Sequence, residues 1–296
     1  MQHDVIVVGG SYAGLAAALQ LGRARRKVLV VDGGQRRNRF AVHSHGFLTQ
    51  DGTAAAEIAA VGKEQLLAYN TVRWLDGTAI SAERTEEGFR VQIDGTEPQE
   101  SRRLVLASGV VDHLPDLPGL AERWGQHVFH CPYCHGYELN QGPIGVLATS
   151  PMSMHQALML PDWGPTTCFL NGSFSPDSEQ REQLKERGVR LEYDLIERIE
   201  GALDLVMKGG RVMKLAGLFV VARIDVAGSI AEQLGCDIED GPLGRTIKTD
   251  PMKATTVPGV YACGDVARPG GSVAIAVGDG TIAGSAAHQS LIFGSP

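Results

Sequence analysis

Apolar residues along the chain form short continuous runs that alternate with glycine turns and Ala/Leu-rich stretches. Near the amino terminus, one apolar run reaches Val8, a glycine turn follows, and a helix-like stretch leads to a second apolar run that ends at Asp32. Strand, glycine turn, helix and strand in this order predict a βαβ unit and an α/β fold.

The turn between the first strand and the helix has the composition of a dinucleotide-binding fingerprint. Gly9 permits the tight turn, Gly14 permits close packing of the helix on the strand, and Ser11 replaces the middle glycine with another small residue. Asp32 closes the second strand, where a carboxylate can bind an adenosine ribose and would repel a 2′-phosphate. The unit predicts a bound dinucleotide without distinguishing NAD from FAD.

The carboxyl-terminal part of the chain distinguishes these two cofactors. The segment from Thr255 to Asp265, followed by an Ala/Gly-rich helix, resembles the second FAD motif of two-dinucleotide-domain flavoproteins. The resemblance implies that Gly264 and Asp265 bind the cofactor near its ribityl and pyrophosphate groups. It also implies that the helix start, at Ser272 and Val273, points its positive end at the flavin.

The two FAD motifs lie at opposite ends of the chain, which predicts a split domain. We expect residues 1–114 and 244–296 to form a discontinuous FAD-binding Rossmann-like domain, in which Asn38 also touches the cofactor. Residues 115–243 are expected to form a smaller, inserted Rossmann-like domain. This arrangement is the two-domain fold of the FAD- and NAD(P)-linked disulfide reductases.

The inserted segment contains the run HCPYCHGYE at residues 130–138. A Cys-x-x-Cys-His run serves as a redox dithiol, as half of a zinc site or as an attachment point for haem c. Haem c requires an exported chain, and zinc requires four converging ligands, which these adjacent residues do not supply without a second Cys/His cluster. We therefore expect a redox dithiol and no metal. The isolated cysteines are interpreted as buried apolar residues, namely Cys168, Cys236 and Cys263.

The order of these motifs along the whole chain resembles that of the low-molecular-weight thioredoxin reductases. The resemblance implies a homodimeric FAD enzyme in which Cys134 is the flavin-proximal thiol and Cys131 exchanges with the substrate. His135 stands where that family has an aspartate that donates and accepts protons. Because an unperturbed imidazole has a pKa of about 6.5, His135 is expected to accept a thiol proton at neutral pH.

A thioredoxin reductase carries a second glycine fingerprint, for NADPH, in its inserted domain. Here the apolar run at residues 144–147 leads into the turn ATSPMS at residues 148–153, which lacks both glycines, and Pro151 lacks a phosphate-facing N–H. The cationic cluster expected for a 2′-phosphate is replaced by the sequence NGS at residues 171–173. Both changes predict a degenerate nucleotide site.

A flavin and a dithiol without a nicotinamide site resemble the dithiol oxidases that close disulfides in gliotoxin- and holomycin-type natural products. We expect a small-molecule dithiol or a thioredoxin-like protein as the substrate and O2 as the electron acceptor. Two alternatives stay open. One is a thioredoxin reductase supplied by NADPH or ferredoxin, and the other is a non-enzymatic flavin redox sensor.

Composition changes this picture little. The chain of 296 residues has a formal net charge of −7, so it offers no basic surface for a nucleic acid or a membrane. It opens directly into a strand and has no apolar stretch of membrane-spanning length, which predicts a soluble cytoplasmic protein. On the loop after the first FAD strands, His43 and His45 are either substrate contacts or solvated polar residues.

Overall fold

The computed structural model describes residues 2–294. Its strands, in chain order, are β1 (His3–Val8), β2 (Val28–Asp32), β3 (His43–Ser44), β4 (Thr53–Ala54), β5 (Val72–Asp76), β6 (Ala79–Arg84), β7 (Phe89–Ile93), β8 (Gln99–Leu106), β9 (Val110–His113), β10 (Val128–Phe129), β11 (Ile144–Leu147), β12 (Thr166–Phe169), β13 (Arg190–Glu192), β14 (Ile196–Glu200), β15 (Asp204–Met207), β16 (Val212–Lys214), β17 (Gly217–Val220), β18 (Arg223–Val226), β19 (Ile238–Gly241), β20 (Gly244–Ile247) and β21 (Val260–Ala262). Its α-helices are α1 (Tyr12–Arg23), α2 (Ala55–Leu67), α3 (Pro132–His135), α4 (Ser153–Met159), α5 (Ser178–Glu186), α6 (Ile230–Gln233) and α7 (Val273–Phe293).

The chain divides into two compact units, and the first is discontinuous. Unit 1 comprises residues 2–39, 46–112 and 224–294, and unit 2 comprises residues 40–45 and 113–223. A discontinuous α/β unit interrupted by a second one confirms the fold class predicted from the two separated motifs.

Unit 1 is built on a sheet with the strand order β5-β2-β1-β8-β7-β6. Strand β1 pairs in parallel with β2 and β8, and β2 pairs in parallel with β5. The long strand β8 pairs with two further strands, because Phe89 of β7 lies antiparallel to Ser101 and Val260 of β21 lies parallel to Leu104. The carboxyl ends of β1, β2 and β21 therefore meet at one edge, where open α/β sheets bind their ligands.

Helices α1 and α7 of unit 1 approach each other with their backbones almost in contact. A Cβ atom at Gly280 would lie 2.0 Å from the carbonyl oxygen of Ala13, and one at Gly284 would lie 2.4 Å from that of Ala17. Both glycines are therefore required by the packing of the two helices rather than by backbone conformation.

Unit 2 contains a five-stranded sheet in the order β10-β17-β11-β12-β13 and a separate sheet in the order β14-β15-β16. The strands of the larger sheet pair in parallel and those of the smaller sheet pair antiparallel. The apolar run predicted at residues 144–147 is β11, and all of its residues are buried. It lies in the middle of its sheet, which explains why the run is apolar on both faces.

The return to unit 1 differs from the expected position. The crossing falls between residues 223 and 224, whereas the sequence placed it at residue 244. The reason is packing, because Ile230 and Cys236 belong to the same hydrophobic core as Ile6. Residues 40–45 also belong to unit 2, which the sequence did not indicate. No helix among residues 2–294 is both long enough and apolar enough to cross a membrane.

Candidate functional site

The strand β1, the turn after it and the start of α1 form a cradle whose geometry requires glycine at two positions. Gly9 has a φ of +101°, in the left-handed region that side chains disfavour. A Cβ atom there would lie 2.3 Å from the carbonyl oxygen of Ala107, and one at Gly14 would lie 1.8 Å from that of Gly9. Ser11 is the N-cap residue of α1, yet its hydroxyl makes no capping bond. That hydroxyl and the start of the helix suit a bound phosphate.

Asp32 and Asn38 lie beside this turn. Asp32 Oδ1 accepts a hydrogen bond from the N–H of Gly10 at 3.0 Å, and a carboxylate can accept further bonds from ribose hydroxyls. Asn38 Nδ2 donates to the hydroxyl of Tyr12 at 3.1 Å, and that hydroxyl donates to the carbonyl of Ala55 at 2.9 Å. Asn38 Oδ1 is buried without a hydrogen-bond partner, and a buried orphan acceptor is costly unless a ligand satisfies it.

The second motif lies at the end of β21. Gly264 turns the chain with a φ of +76°, and Asp265 follows directly. A Cβ atom at Gly271 would lie 2.5 Å from Asp265 Oδ1. The hydroxyl of Ser272 accepts a hydrogen bond from a main-chain N–H at 3.3 Å and so caps the 21-residue helix α7, which starts at Val273. Helix α7 thus begins at the residue at which the sequence predicted a helix start.

Arg37 links the loop after β2 to the second motif, and the sequence alone did not indicate this role. Its guanidinium donates to Asp112 Oδ2 at 2.9 Å and to Asp265 Oδ2 at 2.9 Å. Burial alone would lower the pKa of Arg37, but the hydrogen bond to Asp112 and the charge of Asp265 raise it above its ordinary value. The only signal in the sequence is the run RRNRF at residues 36–40, which is equally typical of a solvated basic loop.

The arrangement in unit 1 fits FAD. Gly9 and Gly14 allow the tight turn and the close approach of α1, because a Cβ atom at either would collide with a main-chain oxygen, and Asn38 presents a buried acceptor without a donor. Acceptors for hydroxyl groups and a helix start for phosphate are the groups that such a cofactor requires.

In unit 2 the cysteine pair opens a single helical turn. Cys131 has extended backbone angles as the N-cap residue of α3, and Pro132 occupies the first helical position, where a missing N–H costs nothing. Cys134 Sγ lies 2.8 Å from Cys131 Sγ, so a disulfide, with a bond of about 2.0 Å, needs little backbone movement. Because α3 has only four residues, its dipole stabilises a thiolate less than that of a longer helix would.

His135 is stacked in the protein and does not resemble a solvent-exposed imidazole. Its ring lies on that of Phe129, with the centroids 4.4 Å apart. Burial, and next the charge of His130, lower the pKa of His135 to about 4, while Glu138 acts in the opposite direction and His45 adds to the lowering. The expectation that His135 titrates near neutral pH is therefore wrong, because desolvation disfavours the charged ring.

Two side chains outside the run at residues 130–138 contact it. Gln156 Nε2 donates to the carbonyl oxygen of His130 at 2.8 Å. His45 Nδ1 lies 3.4 Å from Glu138 Oε1, which places one member of the predicted histidine pair in the cysteine region, whereas His43 is exposed. Among residues 2–294, no group of three or more His, Cys, Asp or Glu side chains could hold a metal ion.

The other three cysteines are buried. Burial raises the pKa of Cys168 to about 11 and that of Cys263 to about 12, and it also raises the pKa of Cys236. Because the thiolate is the reactive form, these three side chains are poor nucleophiles at neutral pH.

The turn between β11 and α4 closes on itself. The N–H of Thr149 donates to Ser153 Oγ at 3.0 Å, and the N–H of Met152 donates to Ser150 Oγ at 3.3 Å. Pro151 has no N–H to offer. Two main-chain donors that a pyrophosphate could use, those of Thr149 and Met152, are thus paired within the turn.

The end of β12 is also occupied by protein groups. Asn171 Oδ1 accepts a hydrogen bond from the N–H of Ile196 at 2.9 Å. The neighbouring strand ends at Glu192, which shares Arg211 with Asp194 at 2.7 Å and 2.8 Å. Two carboxylates against one guanidinium make this a poor place for a 2′-phosphate.

Comparisons with known proteins extend these observations. Residues 3–280 match the pyridine nucleotide-disulphide oxidoreductase family. The thioredoxin reductase tcpT of Claviceps purpurea is 31% identical over 306 residues, which cover 98% of this chain and 94% of that protein. The crystal structure of an oxidoreductase from Agrobacterium tumefaciens has 57% identity and a TM-score of 0.97, covering 99% of both chains. The crystal structure of HlmI has 36% identity and a TM-score of 0.91, covering 98% of this chain and 93% of that one.

Proposed function

The chain belongs to the pyridine nucleotide-disulphide oxidoreductase family, and we propose that within this family it is a dithiol oxidase that works without NADPH. It is an FAD-binding oxidoreductase of the thioredoxin reductase-like type and acts on sulfur groups. The proposal concerns the direction of electron flow and the identity of the acceptor, which is O2.

The proposed reaction converts a substrate dithiol and O2 into a substrate disulfide and hydrogen peroxide. A substrate thiolate attacks Cys131 Sγ of the Cys131–Cys134 disulfide, and Cys134 leaves as a thiolate. The second substrate thiolate then attacks the sulfur that the first has contributed to the mixed disulfide, so that Cys131 is released. FAD, when bound, would supply the two-electron oxidation that re-forms the Cys131–Cys134 disulfide, with O2 as the final acceptor.

The residues proposed to hold FAD are those that surround the cradle of unit 1. Ser11 and the start of α1 would contact the pyrophosphate, Gly9 and Gly14 would shape the turn that lets it approach, and Asp32 would accept from the ribose hydroxyls. We also assign to the cofactor Asn38, beside this turn, and Gly264, Asp265, Ser272 and Val273 of the second motif.

His135 is proposed to accept the thiol proton. With a pKa of about 4, its ring is uncharged at neutral pH and holds a proton only transiently. The ring would therefore pass the proton on to solvent rather than store it.

The observation that carries the proposal is the closed turn at residues 148–153. Bonds from Thr149 N–H to Ser153 and from Met152 N–H to Ser150 use two main-chain donors that a bound pyrophosphate could otherwise engage. Each charge-assisted phosphate contact is worth about 1.5–3 kcal/mol, so losing several weakens NADPH binding by orders of magnitude.

An anaerobic absorbance experiment on the FAD-loaded protein tests this proposal. NADPH should leave the flavin oxidised, dithiothreitol should bleach it, and admitted air should restore the colour with release of hydrogen peroxide. The Cys131→Ser variant, which keeps the cofactor site, should no longer be bleached quickly by the dithiol. Rapid bleaching of the unmodified protein by NADPH would overturn the proposal.

The second candidate function is a thioredoxin reductase supplied by another donor, and the name of the Claviceps purpurea relative favours it. Bleaching by dithiol with no return of colour in air would favour this function, with ferredoxin or thioredoxin as the exchange partner. We propose a homodimer for either function, and a monomer in sedimentation at micromolar concentration would contradict it.

A further inference from the structure

Helix α4 carries a buried amide that is tied to the cysteine motif. Gln156 is only 6% exposed, and its Nε2 donates to the carbonyl oxygen of His130 at 2.8 Å. Its Oε1 is buried without a hydrogen-bond partner. A buried acceptor without a partner is destabilising. If position 156 served packing alone, an apolar side chain of the same length would therefore be more stable there than glutamine.

The bond from Gln156 acts on the backbone of the reactive pair. The carbonyl of His130 belongs to the peptide group that contains the N–H of Cys131, and a peptide group is planar and rigid. Fixing this oxygen therefore fixes the direction in which the chain enters Cys131, whose Sγ lies 2.8 Å from that of Cys134. The ring of Trp124, with its centroid 5.9 Å from that of His130, also contacts this segment.

The position of Gln156 along the chain is informative. Helix α4 starts at Ser153, directly after the turn in which a nucleotide-binding relative would hold a pyrophosphate. Ser153 is fully buried and closes that turn through its bond with Thr149. The helix therefore has a closed turn at its start and supports the cysteine motif through Gln156.

We propose that Gln156 is a positioning residue that holds Cys131 against Cys134 and favours their disulfide over the dithiol. This inference rests on the proposed function, because it requires the pair to be redox-active. The equilibrium concerned is the reaction of the two thiols with oxidised glutathione, which gives the protein disulfide and two molecules of reduced glutathione. Holding two reacting groups together raises their effective concentration. Loss of the hydrogen bond from Gln156 to His130 should therefore lower the equilibrium constant for forming the disulfide.

The test compares the reduction potential of the pair in the FAD-loaded protein and its variants, by trapping thiols in glutathione buffers of known ratio. Gln156→Met keeps the length of the side chain and removes the donor. It should lower the equilibrium constant about tenfold, which corresponds to a potential about 30 mV more oxidising. Ser153→Ala is the matched control, because it weakens the same helix without touching His130, and its potential should equal that of the unmodified protein.

Gln156→Asn covers the case in which the methionine variant does not fold. It keeps an amide that is one methylene too short to reach His130, and the potential should shift in the same direction. An unchanged potential in both Gln156 variants would overturn the inference, as would an equal shift in Ser153→Ala. If the pair of the unmodified protein does not exchange with glutathione at all, the proposed function itself fails.

Discussion

The guanidinium of Arg37 and the carboxylate of Asp265 form an ion pair of 2.9 Å between residues that are 228 positions apart in the chain. Arg37 also donates to Asp112 at 2.9 Å, so one side chain orients two carboxylates at the candidate cofactor site. A charge-assisted bond of this kind, partly shielded from solvent, contributes more than an exposed ion pair.

We therefore expect Arg37→Met to weaken FAD binding about ten- to a hundredfold, since loss of the charge-assisted bond to Asp265 costs about 1.5–3 kcal/mol. The measurement is the FAD retained after ultrafiltration, titrated against added FAD. Arg90→Met is the control, because Arg90 pairs with Glu83 and Glu100 on the exposed surface of the same unit. Equal FAD affinity in the two variants would contradict the assigned role of Arg37.

Two glycines of α7 give a matched pair for the packing of that helix on α1. Gly280→Ala would place a Cβ atom 2.0 Å from the carbonyl oxygen of Ala13, whereas no heavy atom lies within 4 Å of a Cβ at Gly278. The first change should lower the free energy of unfolding by about 1–3 kcal/mol through overpacking.

Gly278→Ala should leave the free energy of unfolding unchanged or raise it by up to about 1 kcal/mol, since alanine favours a helix. Denaturant unfolding of both variants measures the difference. A stable Gly280→Ala protein would show that the two helices can separate without cost.

Thiol labelling should distinguish the reactive pair from the buried cysteines. The folded, reduced protein should react with iodoacetamide at two of its five cysteines, because burial raises the pKa values of Cys168, Cys236 and Cys263. Peptide mass spectrometry identifies the labelled residues, and the denatured protein provides the full count. Rapid labelling of Cys263 in the folded state would be inconsistent with its burial.

Stability should fall in mild acid because of His135. Its pKa in the folded protein, about 4, lies below the unfolded value of about 6.5. The unfolded chain therefore binds more protons between these values, and the free energy of unfolding decreases as the pH falls from about 6.5 to about 4.

His135→Phe keeps an aromatic ring against Phe129 and removes this titration. Its free energy of unfolding should depend less on pH across the same window, as measured by urea unfolding at pH 7 and pH 4.5. The buried His3, whose pKa is also lowered mainly by desolvation, contributes in the same direction, so the comparison is with the unmodified protein. Identical slopes would show that His135 is solvated.

Several features of this protein follow from the sequence by itself, because they depend on residues that are close together in the chain. The tight turn at Gly9, the capped helix start at Ser272 and the short spacing of Cys131 and Cys134 are set by backbone geometry over a few residues. The same holds for the turn around Pro151, where the missing glycines and the missing N–H are visible in the sequence. The two ends of a split α/β fold could therefore be recognised before any contact was known.

Other features depend on which distant residues meet, and only the tertiary structure decided them. Ile230 and Cys236 lie in the same hydrophobic core as Ile6. Because this core is part of unit 1, the chain returns to unit 1 at residue 224 rather than at the expected residue 244. The partners of Arg37 lie 75 and 228 positions away in the chain, and no local pattern encodes such pairs.

The chemistry of single side chains was decided in the same way. The sequence identified His135 by its place after the cysteines, but its pKa follows from desolvation beside Phe129. In the sequence, Gln156 does not differ from any other polar residue of a helix, and only the fold shows that its amide donates to the carbonyl of His130. Burial and long-range hydrogen bonding arise only when the chain is packed, because both depend on neighbours that the order of residues does not specify one by one.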